Sequence, residues 1–431
     1  MKEKFKNIYD TYCNKKMLIL TLLGFASGFP FLLVFSTLSL WLKDVGWSYK
    51  AIGAISMVKI PYAFKFLWSP VVDGCKIPVL WRLGRRRSWG ILAQISLFCS
   101  VLAMSCFTPE KSVFYLVFMA TAVSFSSATL DIVLDAFRVE MFTNEPQSQA
   151  SGSAIFVLGY RFGLLFSGAG ALLLASVMSW NNVYVLMACG AFVGLVTLLM
   201  VKEPIPYTYE KKEKEKQNIK AFLAERVLGP LKNFASNPSW KLILCLIFIY
   251  RLSDAYIGPM AYPFYNDMGF TNVEIAYVIK IYGMAATILG GLYGGLFLKK
   301  HGIFKGLYVC VFTQGITTAF YAVQAYAGHN VPMLVLTISM ENFSSGMATA
   351  ALVAYMSSLC NVFYTATQYA LLSSLLSVAR DFFAATSGFV LEMTGWPLFF
   401  IFAGLMCLPS LIVLNKIQKV HDVDKPERKD V

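Results

Sequence analysis

The sequence predicts an all-α polytopic membrane protein with twelve transmembrane helices in two pseudo-symmetric six-helix bundles. Composition, the number of long apolar stretches, and the alternation of positive charge between loops carry that expectation. Of 431 residues, 57% are hydrophobic and only 14% charged, and the mean hydropathy is +0.60. A soluble globule of ordinary composition is excluded. The apolar stretches, interrupted by Pro and Gly, are long enough for helices rather than barrel strands.

Twelve stretches qualify as spans: 17–40, 51–71, 88–108, 113–137, 150–177, 183–201, 239–262, 273–298, 306–327, 332–358, 364–390 and 397–415. The expected organisation is an N-terminal tail (1–16), a first bundle (17–201), a central linker (202–238), a second bundle (239–415) and a C-terminal tail (416–431). The first apolar segment runs from Met17 past Leu40, longer than the core of a signal peptide, so it reads as an uncleaved span.

Basic residues crowd alternate connections: the N-terminal tail (Lys2, Lys4, Lys6, Lys15, Lys16), the second loop (Lys76, Arg82, Arg85, Arg86, Arg87) and the linker. They recur in the eighth loop (Lys299, Lys300, Lys305) and the C-terminal tail (Lys416, Lys419, Arg428, Lys429). Loops on the other side offer little beyond Lys43, Lys50 and Lys111. Both termini are therefore expected to be cytoplasmic. The net charge of +13 is spent on topology, and nucleic acid is not an expected partner. The linker carries the run from Glu210 to Lys216, too charged to bury itself.

The halves resemble one another. Asp44-Val45-Gly46-Trp47-Ser48 after the first span returns as Asp267-Met268-Gly269-Phe270-Thr271 after the seventh, an offset of 223 from Asp44 to Asp267. Phe125-Ser126-Ser127 returns as Phe343-Ser344-Ser345, and Arg161 has a plausible counterpart in Arg380. A six-plus-six duplication of this kind places substrate between repeats.

Charge inside the spans is unevenly distributed. Spans three, six, nine and twelve hold no Asp, Glu, Lys or Arg. Charges occur in span two (Lys59, Lys65), span four (Asp131, Asp135), span five (Arg161), span seven (Arg251, Asp254), span eight (Glu274, Lys280), span ten (Glu341) and span eleven (Arg380, Asp381). Every third helix is thus fit to face lipid while most others face something polar, as a central aqueous cavity requires. Asp131, Asp135 and Arg138 follow i, i+4, i+7 spacing and form one stripe on a helix, with Glu140 on the opposite side. A carboxylate at bilayer depth costs roughly 2.5–3.5 kcal/mol on insertion scales, so the stripe needs water or partners.

Two readings of the stripe stand side by side. Carboxylates one turn apart in a partly dry site resist ionising together, which suits proton coupling by Asp131 and Asp135. Alternatively, with Arg138 pairing to Asp135, the stripe is half of a cytoplasmic gate with Asp73, Arg85, Arg86, Arg87 and Glu140. Solvent-exposed pairs in such a gate would each contribute about 0–1 kcal/mol.

Arg161 and Arg380 are candidates for an acidic substrate group, since guanidinium forks match carboxylate or phosphate. Lys65, Tyr62, Tyr160, Asp254, Glu341 and Asp381 complete the candidate substrate contacts. Internal pairing competes, Arg251 with Asp254 and Arg380 with a neighbour, and the aromatic residues equally suit packing or lipid contact. Lys59 and Lys65 could either snorkel or neutralise Asp131.

Nine scattered Cys make no C-x-x-C pair, and His301, His329 and His421 are far apart. No disulfide framework, metal site or cofactor is expected. The absence of a phosphate-binding Gly-x-x-x-x-Gly-Lys-Ser/Thr loop and of a Ser-His pairing argues against ATP-driven transport and against an enzyme. Secondary active transport remains, by two rocking bundles with a midplane site.

Twelve spans, the charge pattern, and Asp73 followed by Gly84-Arg85-Arg86-Arg87 together resemble the major facilitator superfamily. A closer resemblance, to the AmpG-type muropeptide permeases, rests on Gly24-Phe25-Ala26-Ser27-Gly28-Phe29-Pro30, on Pro61 to Pro70, on Asp131 to Glu140, and on Gly159-Tyr160-Arg161. Ser39 and Leu130 depart from the Gln often found in the family at those positions. The resemblance implies a monomeric carrier in the bacterial inner membrane. It would import an amphiphilic acidic sugar-peptide, N-acetylglucosaminyl-1,6-anhydro-N-acetylmuramic acid with or without its peptide, together with protons. The rivals are a related carrier for another anionic metabolite such as acetyl-CoA, and a transport-dead membrane sensor.

Overall fold

The computed structural model describes residues 11–47, 56–106, 113–145, 148–204 and 228–423. Lys2, Lys4, Lys6, Lys50, Lys111, the run from Glu210 to Lys216, Arg428 and Lys429 lie outside them. Among the described residues there are helices and no strand. Nine helical stretches among the described residues are long and apolar enough to cross a membrane. The last, Val362–Val420, contains the non-helical Gly395 (φ 70°, ψ 170°) followed by Pro397, and so holds two helices end to end. The expected second span consists of short pieces from Ser56 to Gly74, with Pro61 and Pro70 each in the first turn of a piece. Proline lacks the amide hydrogen that would continue the preceding ladder.

Packing divides the chain into two compact units. The first comprises residues 1–146, 155–231 and 360–374, and the second 147–154, 232–359 and 375–431. The opening residues of the expected fifth span thus belong to the second unit, and those of the expected eleventh span to the first.

The first unit contains α1 (Lys15–Leu33), α2 (Arg85–Ser105), α3 (Val113–Met141), most of α4 (Gln149–Leu165) and α5 (Trp180–Met200). Asn14 caps α1 by accepting from the Met17 amide at 3.1 Å. Within this unit, α1 and α4 meet backbone to backbone. A Cβ on Gly24 or Gly28 would overlap the carbonyl oxygen of Phe156 or Tyr160. The sequence's small residues here therefore serve close approach.

The second unit contains Trp240–Ile249, α6 (Leu252–Asp267), α7 (Gly283–His301), α8 (Ile303–Ala327), α9 (Val331–Ser358) and most of α10 (Thr365–Leu405). The helix entering α6 breaks at Tyr250 and Arg251. Gly290 backs onto the Phe343 carbonyl, the same device holding α7 to α9. Glu274, expected within a span, instead closes a capping box: it accepts from the Thr271 amide at 2.8 Å, while its own amide donates to the Thr271 hydroxyl at 3.3 Å.

The repeat is visible in matched hydrogen bonds. Trp180 Nε1 donates to Asp44 in the first unit (2.9 Å) and Trp396 Nε1 to Asp267 in the second (3.1 Å). The Ser126 hydroxyl bonds Ser96 at 2.7 Å, and its counterpart Ser344 donates to Thr313 at 3.1 Å.

Candidate functional site

The stripe on α3 is assembled as its helical spacing predicts. The Ser27 hydroxyl of α1 donates to Asp131 at 2.5 Å. One turn on, Asp135 lies 3.9 Å from the Lys65 ammonium and 3.4 Å from the Arg138 guanidinium. Arg138 is buried, its guanidinium 5.5 Å from the Phe156 ring and 5.1 Å from the Tyr369 ring. Lys65 acts electrostatically on Asp131, and Tyr62 packs edge-on against Phe31. Lys59 takes a different course, over the Phe35 ring at 4.8 Å. Trp68 is a packing residue: its indole donates to Thr129 and its ring lies against Phe125. Tyr160 and Arg161 stand half-buried on α4.

Glu140, on the other face of α3, joins a separate cluster. Arg86 donates to Glu140 through Nη2 (2.6 Å) and Nε (3.0 Å) and to Asp73 at 2.7 Å, while Arg85 reaches Glu140 at 3.1 Å. The second Asp73 oxygen accepts from the Thr367 amide at 2.7 Å and hydroxyl at 2.6 Å, within the same unit. These groups were expected to be solvent-exposed; instead Arg86 is 0% exposed and Asp73 and Glu140 are buried. The reason is that residues 360–374 pack into this unit and cover them, with Ala366 and Ala370 against Val72, Val133 and Ala136. Arg87 stands apart, donating to the Leu198 and Leu199 carbonyls near the end of α5.

In the second unit Asp254 is held by the Arg251 guanidinium and by the Gln314 amide. Arg251 also donates to Thr349 (2.8 Å) and to the Ser345 hydroxyl (3.1 Å). Glu341 is buried, 2.7 Å from the Thr317 hydroxyl. Arg380 and Asp381 pair with each other at 3.5 Å and stay open, their side chains 62% and 72% exposed. Arg251 and Arg380 line one small cleft with Phe248 and Phe383.

Several participants carry no warning in the sequence. Glu203, just after α5, accepts from the Arg86 and Arg87 amides at 2.7 and 3.1 Å and so caps α2. Burial pushes its carboxyl up from the ordinary value, and those amide bonds pull it down. Gly84 permits the contact, since its φ is +112° and a Cβ there would overlap the Glu203 carboxylate. Thr367, Gln314 and Thr317 are ordinary polar residues until the fold places them. Ser27 lies within the quoted Gly24-to-Pro30 motif, which was its one signal.

The sequence profile of the Major Facilitator Superfamily matches residues 17–380 and 243–430. The putative transporter AmpG 4 of Rickettsia felis is 38% identical over 93% of this chain and 96% of its own. The anhydromuropeptide permease of Escherichia coli is 35% identical over 92% of this chain and 78% of its own. Among solved structures, the proton:xylose symporter XylE aligns with TM-score 0.68 at 13% identity, over 94% of this chain and 96% of its own. The human organic anion transporter MFSD10 aligns with TM-score 0.64 at 15% identity, over 94% and 98%. The last two similarities establish the shared fold. The chain belongs to the major facilitator superfamily and, within it, to the AmpG-type muropeptide permeases, and is a multi-pass membrane transporter.

Proposed function

We propose that this transporter imports muropeptides, N-acetylglucosaminyl-1,6-anhydro-N-acetylmuramic acid and its peptides, across the inner membrane for cell-wall recycling, driven by protons. It acts as a monomer with both termini in the cytoplasm. The observation that carries the coupling is the Asp131 carboxylate at membrane depth, held by Ser27 and flanked by Lys65 and by Asp135 with its partner Arg138. The two carboxylates and Arg138 of the stripe, with Lys65 beside them, give a site whose charge balance changes when one proton arrives. The substrate class follows from the name of the Escherichia coli relative, similar over most of this chain.

Candidate substrate contacts are Tyr62, Lys65, Tyr160 and Arg161 in the first unit and Arg380 with Asp381 in the second. The open side chain of Arg380 suits a carboxylate of the cargo. Asp254 and Glu341 are engaged by their own unit's polar side chains and contact cargo less directly. The Asp73, Arg85, Arg86 and Glu140 cluster, clasped by Thr367, serves as the cytoplasmic gate, which opens when Thr367 leaves Asp73.

Vesicles containing only this protein, given labelled muropeptide, acetyl-CoA and simple sugars, test the reading. Muropeptide alone should accumulate, and only with an inward proton gradient. Asp131→Asn should exchange muropeptide across the membrane yet fail to concentrate it. Gradient-driven accumulation retained in both Asp131→Asn and Asp135→Asn would show that this pair does not couple protons.

A further inference from the structure

The second unit holds a group of buried polar side chains in which, among the described side chains, two carboxylates share one guanidinium. Thr317 Oγ1 lies 2.7 Å from Glu341 Oε2 and 3.1 Å from the Gln314 carbonyl oxygen. A threonine hydroxyl has one hydrogen, so it cannot donate to both. If Glu341 is ionised, the Thr317 hydrogen goes to it, and the Gln314 carbonyl keeps its bond along α8. The other hydroxyl near Glu341, Thr318, stands 3.4 and 3.5 Å from its two oxygens, too far to satisfy a buried carboxylate. A neutral Glu341 lets both contacts form at once: its O–H donates to Thr317 Oγ1, which donates in turn to Gln314.

Charge counting agrees. Asp254 and Glu341 repel one another, and the cation acting on both, Arg251, forms its ion pair with Asp254. Tyr265 and Tyr321 also sense Glu341, and their hydroxyls bond each other at 3.0 Å. From α7 the packed polar group is Thr287, spent on Asn342. Among the described side chains, two carboxylates are served by one guanidinium, which leaves Glu341 without a counter-ion there; the side chain of Lys280, in the segment before α7 that packs on α9, lies outside the described ones.

A route for releasing the proton is built into α9. Glu341, Ser345 and Thr349 lie one turn apart on one face, and Arg251 donates to Ser345 and Thr349. Moving the guanidinium one turn toward Glu341 would pair it there, while Gln314 keeps hold of Asp254.

We infer that Glu341 is a second proton-carrying site of this transporter, separate from the Asp131 and Asp135 stripe and gated by Arg251. In the state described, Glu341 is the carboxylic acid. On release the O–H bond breaks, the proton passes to water as hydronium, and the carboxylate left behind pairs with Arg251. This rests on the reading of the chain as a proton-driven carrier.

Infrared spectroscopy of the purified full-length protein tests the site without any cargo. The wild type should show the carbonyl stretch of a buried protonated carboxyl that disappears reversibly as pH is raised. The band should be missing in Glu341→Gln, kept in Asp131→Asn, and shifted in Thr317→Val, which removes its hydrogen-bond acceptor. A band indifferent to both Glu341→Gln and Thr317→Val overturns the assignment, as does one that never responds to pH. Thr317→Val keeps the test decisive if Glu341→Gln does not fold. In vesicles under a gradient of one pH unit, Glu341→Gln should lower the muropeptide accumulation ratio about tenfold, the factor one proton supplies. Unchanged accumulation in that variant would overturn the carrier role. A wild type that accumulates nothing would instead defeat the proposed function, leaving the infrared result to decide whether Glu341 holds an exchangeable proton.

Discussion

In the first unit the contact between the helices on either side of the stripe runs from Ser27 to Asp131; in the second, the matching helices meet through Arg251 with Ser345 and Thr349. Thr349 follows Asp131 at the offset that separates Ser344 from Ser126, so the carboxylate of one repeat is answered by a hydroxyl in the other. The charge has moved to the opposite helix and changed sign. The bonds that hold the repeats in shape, Asp with Trp and Ser with Ser or Thr, are kept. Duplication preserved the frame while the polar groups diverged, and each unit arrived at its own way of placing ionisable groups among apolar helices.

The largest expected difference lies in the basic loops. In the first unit Arg86 is the shared partner of two buried carboxylates, Asp73 and Glu140. In the second, Lys299-Lys300-His301-Gly302 occupies the corresponding place, and Lys300 is exposed. Arg86→Met should therefore destabilise by about 3–5 kcal/mol, the cost of stranding buried charge. Lys300→Gln should change stability by no more than about 0.5 kcal/mol. Unfolding midpoints in detergent would decide, and equal effects would break the comparison.

What could be read from the sequence divides along the same line. Helical periodicity brought Asp131, Asp135 and Arg138 together and sent Glu140 elsewhere, because spacing along one helix fixes direction. Arg251 with Asp254 and Arg380 with Asp381 were legible for the same reason, being neighbours on one element. Contacts between distant segments were not. Nothing local to Thr367 announces that it will donate to Asp73, 294 residues earlier in the chain, or that Glu203 will cap α2. The burial of the Arg86 cluster was missed on that account, since the cover is supplied by residues 360–374. The fold class needed none of these contacts, because composition and span length alone imply membrane helices.

Helix contacts should answer more evenly than the loops. Gly28→Ala in the first unit and Gly290→Ala in the second each drive a Cβ into a facing backbone carbonyl, at Tyr160 and Phe343. Backbone gives less than a side chain does, so each should cost about 1–3 kcal/mol. Gly388→Ala is the internal control: its Cβ would meet only the Met260 methyl at an ordinary 3.7 Å, and a helix interior prefers Ala to Gly by about 0.5–1 kcal/mol. A loss at Gly388 as large as at Gly28 would mean that these glycines mark flexibility rather than close approach.

The smallest effect tests the repeat itself. Trp180→Phe and Trp396→Phe each keep an aromatic ring and delete one indole donor to Asp44 or Asp267. Both bonds are partly solvated, so the carboxylate regains water, and each loss should be about 0.5–1.5 kcal/mol. The surroundings differ. Trp180 stacks on Trp41 at 6.4 Å, whereas Trp396 lies over Phe400 at 5.8 Å and meets Phe264 at 5.1 Å. If the hydrogen bond is what the repeats share, the two single variants should agree within about 0.5 kcal/mol, and the double variant should equal their sum, since the sites share no partner. If ring packing dominates instead, Trp396→Phe should cost more. The equivalence of the two bonds would then be geometric and not energetic.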